Sequence, residues 1–222
     1  MTFHYFSDIF TGIILGSSIF TLGYLLDHTI SKKDYLSLTS TEDGCKKYDI
    51  SQRAIRTNLL LLTPIIYPIS CKTVIMHDNK CFDTFACIVF ILVHNFGYFV
   101  MHRTMHVYPS MYKYHKFHHI FDNILLPSIG NATSKEEFVL AYVLPTFVAG
   151  KMVPINEASF IMSVFIISLF NLFIHCGPLQ YVDWVPGFIS PQHHHLHHKE
   201  KSKHYSAPLI NYDPFFKKKM SK

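Results

Sequence analysis

The chain has 222 residues, 49% of them hydrophobic and 20 of them phenylalanine, which is too apolar for a wholly soluble domain and predicts an integral membrane protein. Its formal charge of +5 is concentrated in a few segments beside long apolar runs, as juxtamembrane charges are, and this excludes the broad basic face of a nucleic-acid binder. Five cysteines, Cys45, Cys71, Cys81, Cys87 and Cys176, show no Cys-x-x-Cys spacing, so neither a disulfide framework nor a zinc ribbon is expected.

From Ile9 to Leu26 no charge occurs, and this stretch is long enough to cross a hydrocarbon core of ~30 Å at ~1.5 Å per residue. No basic segment precedes it and no small-residue cleavage site is evident, so it reads as a retained anchor and not as a signal peptide. Asp27 to Arg56 carries most of the charge of the first third of the chain and reads as a solvated loop. A second apolar stretch, Leu59 to Ile69, is short and contains Pro64 and Pro68; it is expected to be kinked, to begin earlier near Ala54, or to lie partly in the interface. Cys81 to Met101 is a further span that runs unbroken into HRTMH. Asp122 to Glu137 reads as a polar connection, and its sequon Asn131-Ala-Thr133 is a chance match if the segment is cytosolic. Phe138 to Ala149 and Ile155 to Ile174 then form a helical hairpin that enters and leaves the bilayer from one side. The remainder is short and turn-rich through Trp184, until Pro191 opens HHHLHH and a basic tail.

The expected architecture is therefore all-α: an integral membrane helical bundle of about four spans, with a histidine-rich helical cap on one side. Residues 1–80 would be an N-terminal membrane anchor and residues 81–222 the domain that carries the histidine segments. Lysine and arginine of the 32–56 segment, of the histidine segments and of the C-terminal tail fall on one side in this arrangement, and the positive-inside rule makes that side cytosolic.

Three histidine segments dominate the chemistry: HRTMH with His102 and His106, HKFHH with His115, His118 and His119, and HHHLHH from His193 to His198. Spacings of i, i+4 and i, i+3, i+4 put ligands on one face of a helix, so His115, His118 and His119 are expected to face one metal site. In the last segment His194, His197 and His198 repeat the spacing, whereas His193 and His195 are expected to lie in an outer layer or to be exposed. His175, which follows the last span with Asn171 one turn before it, is a ninth candidate. His94 continues the His102 stripe into the membrane and reads first as a hydrogen-bonded core histidine, with a place in the wall of a substrate cavity as the alternative. His4, His28, His77 and His204 lie outside every segment. Nine imidazoles exceed what one ion can coordinate, which argues for two metal ions and for chemistry in preference to bracing.

These motifs resemble the sterol desaturase and fatty acid hydroxylase superfamily of integral-membrane di-iron enzymes. The resemblance covers about residues 81–216 and rests on the three segments, Glu137 at the acidic position, His175-Cys-Gly, and Asp213 shortly before an aromatic residue. Asn95 stands where members often carry Asp, and Lys217-Lys218 replace a common Gly-Thr. The resemblance implies two iron ions, with zinc as a substitute in purified material, held by His102, His106, His115, His118, His119, His175, His194, His197 and His198. It further implies reductive activation of dioxygen and hydroxylation or desaturation of a C–H bond in a sterol or fatty-acyl lipid. Electrons would come from a membrane cytochrome b and its NAD(P)H reductase, and the location would be the endoplasmic reticulum. A metal transporter or a non-catalytic zinc-binding membrane protein is the rival, but it should carry ligands at mid-membrane on several spans, where only His94 qualifies.

Overall fold

The computed structural model describes residues 2–76, 81–183 and 185–216; His77, Lys80, Trp184 and the basic end from Lys217 lie outside them. The first helix, α1 (Thr2–His28), is the uncharged stretch with flanking turns. Phe10, Ile14 and Leu25 are exposed on its outer side, while Leu15 and Ile19 are buried. Its inner side carries Gly12 and Gly16. A Cβ on Gly12 would stand 2.9 Å from Pro64 Cα, and one on Gly16 would overlap the Leu59 carbonyl, so this Gly-x-x-x-Gly pair brings two helices together backbone to backbone.

The charged segment from Asp27 to Arg56 is not the expected loop. It folds into α2 (Lys32–Thr39) and α3 (Glu42–Arg56). The Thr41 hydroxyl caps α3 by accepting from Gly44 N at 3.1 Å, and Tyr48, Gln52 and Ile55 bury one helical stripe beneath a charged outer surface. Asp27 is buried as well; its carboxylate accepts from Ser128 N at 2.9 Å and from the Tyr48 hydroxyl at 3.1 Å.

Without a break, α3 passes through a π turn (Thr57–Leu62) into α4 (Thr63–Thr73), so the second span occupies Glu42–Thr73. The kink expected from Pro64 is taken up by this turn: proline lacks an N–H and its ring crowds the carbonyl four residues back, and a locally widened helix relieves both. The same device recurs where α7 (Lys135–Glu137) leads through a π turn (Phe138–Val143) into α8 (Leu144–Met152), with Pro145 in its first turn.

Asp83 caps α5 (Thr84–Val107), accepting from Ala86 N at 3.0 Å; α6 (Pro109–His115) follows after Tyr108. Asn156 caps α9 (Glu157–Ile174), and Ser190 caps α10 (Pro191–Glu200). Among the described residues, four helices are long and apolar enough to cross a membrane: Phe6–His28, Glu42–Thr73, Thr84–Val107 and Glu157–Ile174. A two-residue parallel pairing of β1 (Ile75–Met76) with β2 (Ile155–Asn156) ties their loops at one end, opposite the histidines.

The connection from Asp122 to Glu137 also departs from expectation, because it is not a polar surface segment. Leu125, Leu126, Ile129 and Ala132 are buried, and a 3-10 turn, Pro127–Asn131, packs across α1 and α9. The sequon is built into this plug, with the Thr133 hydroxyl and carbonyl both accepting from Asn58 Nδ2.

Candidate metal centre

Nine imidazoles converge from five short segments. His102 and His106 lie one turn apart at the end of α5, His115 ends α6, and His118 and His119 occupy the 3-10 turn beyond it. His175 follows α9, and His194, His197 and His198 lie on α10.

They form two groups. In the first, a ring nitrogen from each of His102, His106, His115, His119 and His197 lies within 4.8 Å of the others; in the second, the same holds for His118, His175, His194 and His198. The expectation that His115, His118 and His119 face one site is therefore corrected. Helix α6 ends at His115, and His119 has φ −87° and ψ 15°; the tighter turn sends His118 to one group and His119 to the other. On α10 the i, i+4 pair His194 and His198 joins the second group, while His197 turns to the first. The neighbours His118–His119 and His197–His198 thus each span both groups.

The hydrogen bonds set the tautomers. Nδ1 of His102 faces the Tyr205 carbonyl at 2.6 Å, that of His175 the Asn171 carbonyl at 2.7 Å, that of His197 the Lys203 carbonyl at 2.8 Å and that of His198 the Phe121 carbonyl at 3.0 Å. His118 Nδ1 faces the Ala132 carbonyl at 3.4 Å, and His115 Nδ1 faces Glu137 Oε1 at 2.6 Å. A carbonyl only accepts, so Nδ1 carries the proton and Nε2 keeps its lone pair.

Where Nδ1 of both rings is so partnered, in His102–His115 and His175–His118, the Nε2 lone pairs point at one another. Nε2–Nε2 separations are 2.9 Å for His102–His115, His119–His115 and His194–His175, 3.2 Å for His119–His106 and 3.3 Å for His175–His118. Nε2 of His197 and of His198 is buried with no partner. Facing lone pairs repel unless a cation lies between them, and nitrogens about 3 Å apart suit neighbouring ligands with metal–nitrogen bonds of about 2.0–2.1 Å. The donor set therefore fits metal ions.

Burial keeps these rings neutral. It pushes His118 down to about 3 and holds His115, His175, His194, His197 and His198 well below the usual imidazole range, with the neighbouring rings adding to the effect. Neutral imidazole is the form that binds metal. Burial also raises the Glu137 carboxyl, whose Oε2 has no partner.

His193 and His195 belong to neither group. His193 stacks on His204 with centroids 4.8 Å apart; His195 is buried, not exposed. The outer layer is mostly main chain, which carries no residue signature; of its side chains, Glu137 is already visible from its position. Asp213 accepts from Tyr205 N and Ser206 N and so fixes the turn whose carbonyl holds His102. Asn95 Oδ1 accepts from Leu209 N at 3.1 Å, and its Nδ2 donates to the Ile91 carbonyl at 2.9 Å, so an amide serves where a carboxylate would introduce charge into a span.

The family model for fatty acid hydroxylases matches residues 87–218. A curated relative, a Delta(7)-sterol-C5(6)-desaturase from Nicotiana tabacum, is 29% identical over 135 residues, covering 58% of this chain and 47% of the relative. The match thus spans about half the length of that protein. No solved structure matches.

Proposed function

Because the chain belongs to the fatty acid hydroxylase family, we propose that it is a membrane-bound di-iron oxygenase that hydroxylates or desaturates a C–H bond of a sterol or fatty-acyl lipid. One observation carries the reading: two separate groups of buried, neutral imidazoles whose ring nitrogens converge. The first group would hold one ion and the second the other. Bound iron would supply the reductive chemistry of dioxygen that an unactivated C–H bond requires.

The protein's own part is positional. Nδ1–carbonyl bonds orient His102, His118, His175, His197 and His198, the Glu137 carboxyl orients His115, the apolar spans receive the lipid, and burial of both groups keeps water from the reacting carbon. Residues 81–222 would form the catalytic domain and residues 1–80 the anchor, although α1 also helps to wall the bundle interior. Electrons would come from a membrane cytochrome b and its NAD(P)H reductase, with the histidine side facing the cytosol, in the endoplasmic reticulum. The metal-transport alternative finds little support in the placement of both groups at one end of the spans, since a transport path needs ligands along the crossing.

Elemental analysis of the purified protein, paired with dioxygen-dependent conversion of sterol and acyl lipids by membranes containing it, tests the proposal. About two ions per chain and an oxygen-dependent lipid product are expected. A folded protein without metal, or with metal but no lipid turnover in the presence of reductase and cytochrome, would sink it.

A further inference from the structure

The segment after α10 returns to the outer face of α5. Leu209 N and Ile210 N both donate to Asn95 Oδ1, at 3.1 and 3.4 Å, and the Tyr212 hydroxyl donates to the Leu92 carbonyl at 2.9 Å. The Phe216 ring packs on Phe96 and Phe99, with centroids 6.1 and 5.1 Å apart. A second strip joins it: Phe188 bridges to Ile210, Ile189 N donates to the Leu209 carbonyl at 2.8 Å, and Asn211 N donates to the Gly187 carbonyl at 2.9 Å. Helix α5 has 24 residues, and crossing the hydrocarbon core takes about 20. Whichever stretch of that length crosses, Leu92 and Phe99 lie at least about four residues inside its ends, ~6 Å of helix rise. The paired segments 185–189 and 209–216 therefore reach the depth of acyl chains without being membrane-spanning helices.

Two further observations fit that place. Irregular backbone at such a depth needs its polar groups partnered, and every N–H from Leu209 to Asp213 has an acceptor, the last two in Ser206 Oγ at 2.8 and 3.0 Å. Pro208 and Pro214, on either side, carry no N–H. Large apolar side chains, by contrast, stay uncovered: Val185 is 63% exposed, Phe188 40% and Phe215 81%. They stand beside Leu92, Phe96 and Val100, which form an exposed stripe on the span itself.

We propose that these paired segments are a lipid-contacting element, with Val185, Phe188 and Phe215 set among the phospholipid acyl chains of the leaflet on the histidine side. The occupant is the bilayer and not a protein, because the uncovered side chains run on from the lipid-facing stripe of α5. The polar end of the element lies toward the histidines: Asp213 accepts from Tyr205 N at 3.0 Å and Ser206 N at 2.9 Å, and the Tyr205 carbonyl faces His102. Aromatic side chains below a polar turn suit the boundary between headgroups and chains. The turn that orients His102 is thus seated on the membrane, whatever chemistry the metal centre performs.

Fluorescence quenching of the full-length protein in lipid nanodiscs tests this. Trp184, the chain's one tryptophan, is replaced by Phe, and a tryptophan is placed at Val185, at Phe215 or, as a standard within a span, at the exposed Phe10. In phosphatidylcholine brominated on its acyl chains, Val185→Trp and Phe215→Trp should lose as much emission as Phe10→Trp, while iodide in the water should take little from any of the three. Quenching by iodide and not by brominated lipid overturns the inference, since the face is then bathed in water. Protection from both quenchers overturns it as well, by revealing a protein neighbour. The wild-type chain gives a second measurement without substitution: phosphatidylcholine carrying a diazirine on its acyl chain should label residues 185–189 and 209–216 on illumination. Labelling of those residues by a water-soluble diazirine and not by the lipid would refute the inference even if the tryptophan variants did not fold.

Discussion

The two imidazole groups share a chemistry but are built differently. The five-membered group is braced by a carboxyl, Glu137 on His115, and by the Tyr205 and Lys203 carbonyls of the C-terminal segment, and its His106 is only half-buried. The four-membered group is wholly buried and sits over the bundle: His175 is held by the Asn171 carbonyl, while Asn171 Nδ2 donates to the Gly130 carbonyl at 2.8 Å. Next to Gly130, Asn131 lines a cavity among the spans. A Cβ on Gly130 would come within 2.8 Å of His175 Nδ1, so this contact requires glycine. One group thus borders the surface and has an imidazole to spare, and the other borders the bundle interior and has none.

The largest effect should come from residues that belong to both. Replacing His197 and His198 together by Ala takes one imidazole from each group: the second, left with three, should lose its ion and the first, left with four, should hold its ion more weakly, so elemental analysis should fall from about two ions per chain to about one or below, with lipid oxidation abolished. Retention of both ions at full affinity would show that the groups do not share this helix.

Single substitutions sharpen the contrast. His194→Ala leaves three imidazoles in the second group and should cost its ion outright, reducing the metal content from about two to about one per chain. His106→Ala leaves four in the first and should keep the ion, bound more weakly, as titration with a competing chelator would show. Equal loss in the two variants would mean the groups are equivalent.

A smaller effect is expected of Glu137→Gln. It keeps the shape but removes the carboxyl that orients His115, and metal affinity should fall by about 10–100-fold in the first group only. A uniform loss at both groups would point to misfolding instead.

The smallest belongs to His195→Ala. His195 lies within HHHLHH, yet it faces neither group, so both ions and at least part of the lipid oxidation should persist. If that variant proved as damaged as His194→Ala, the division of α10 between the groups would have to be redrawn.

Much of this was legible in the linear chain. HRTMH continues the helix of a span because no breaker stands between Thr84 and Val107, and spacing of i, i+4 brings His102 and His106 to one side. Segments judged by polarity alone were misread. Glu42–Arg56 presents charge outward and Tyr48, Gln52 and Ile55 inward, so its composition hides a helical period. Asp122–Glu137 has polar ends that mask the buried Leu125, Leu126 and Ile129. The Gly12–Gly16 pair was a usable signal for close helix contact that composition did not bring forward.

Sequence alone determined the apolar spans, the three histidine segments and the surplus of imidazoles over one ion, because hydropathy and helical spacing are local properties of the chain. Only the tertiary structure decided how the surplus is divided. His118 and His119 are neighbours in sequence but point to different groups through the turn at His119, and His197 joins a different group from His194 and His198 because the two groups lie side by side against α10, with the His119 and His198 ring centroids 4.5 Å apart. The tertiary structure also decided which nitrogen is free on His102, His118, His175, His197 and His198, since the main-chain carbonyls of Tyr205, Ala132, Asn171, Lys203 and Phe121 hold the other. Any residue supplies the same carbonyl, and only folding brings it to the ring.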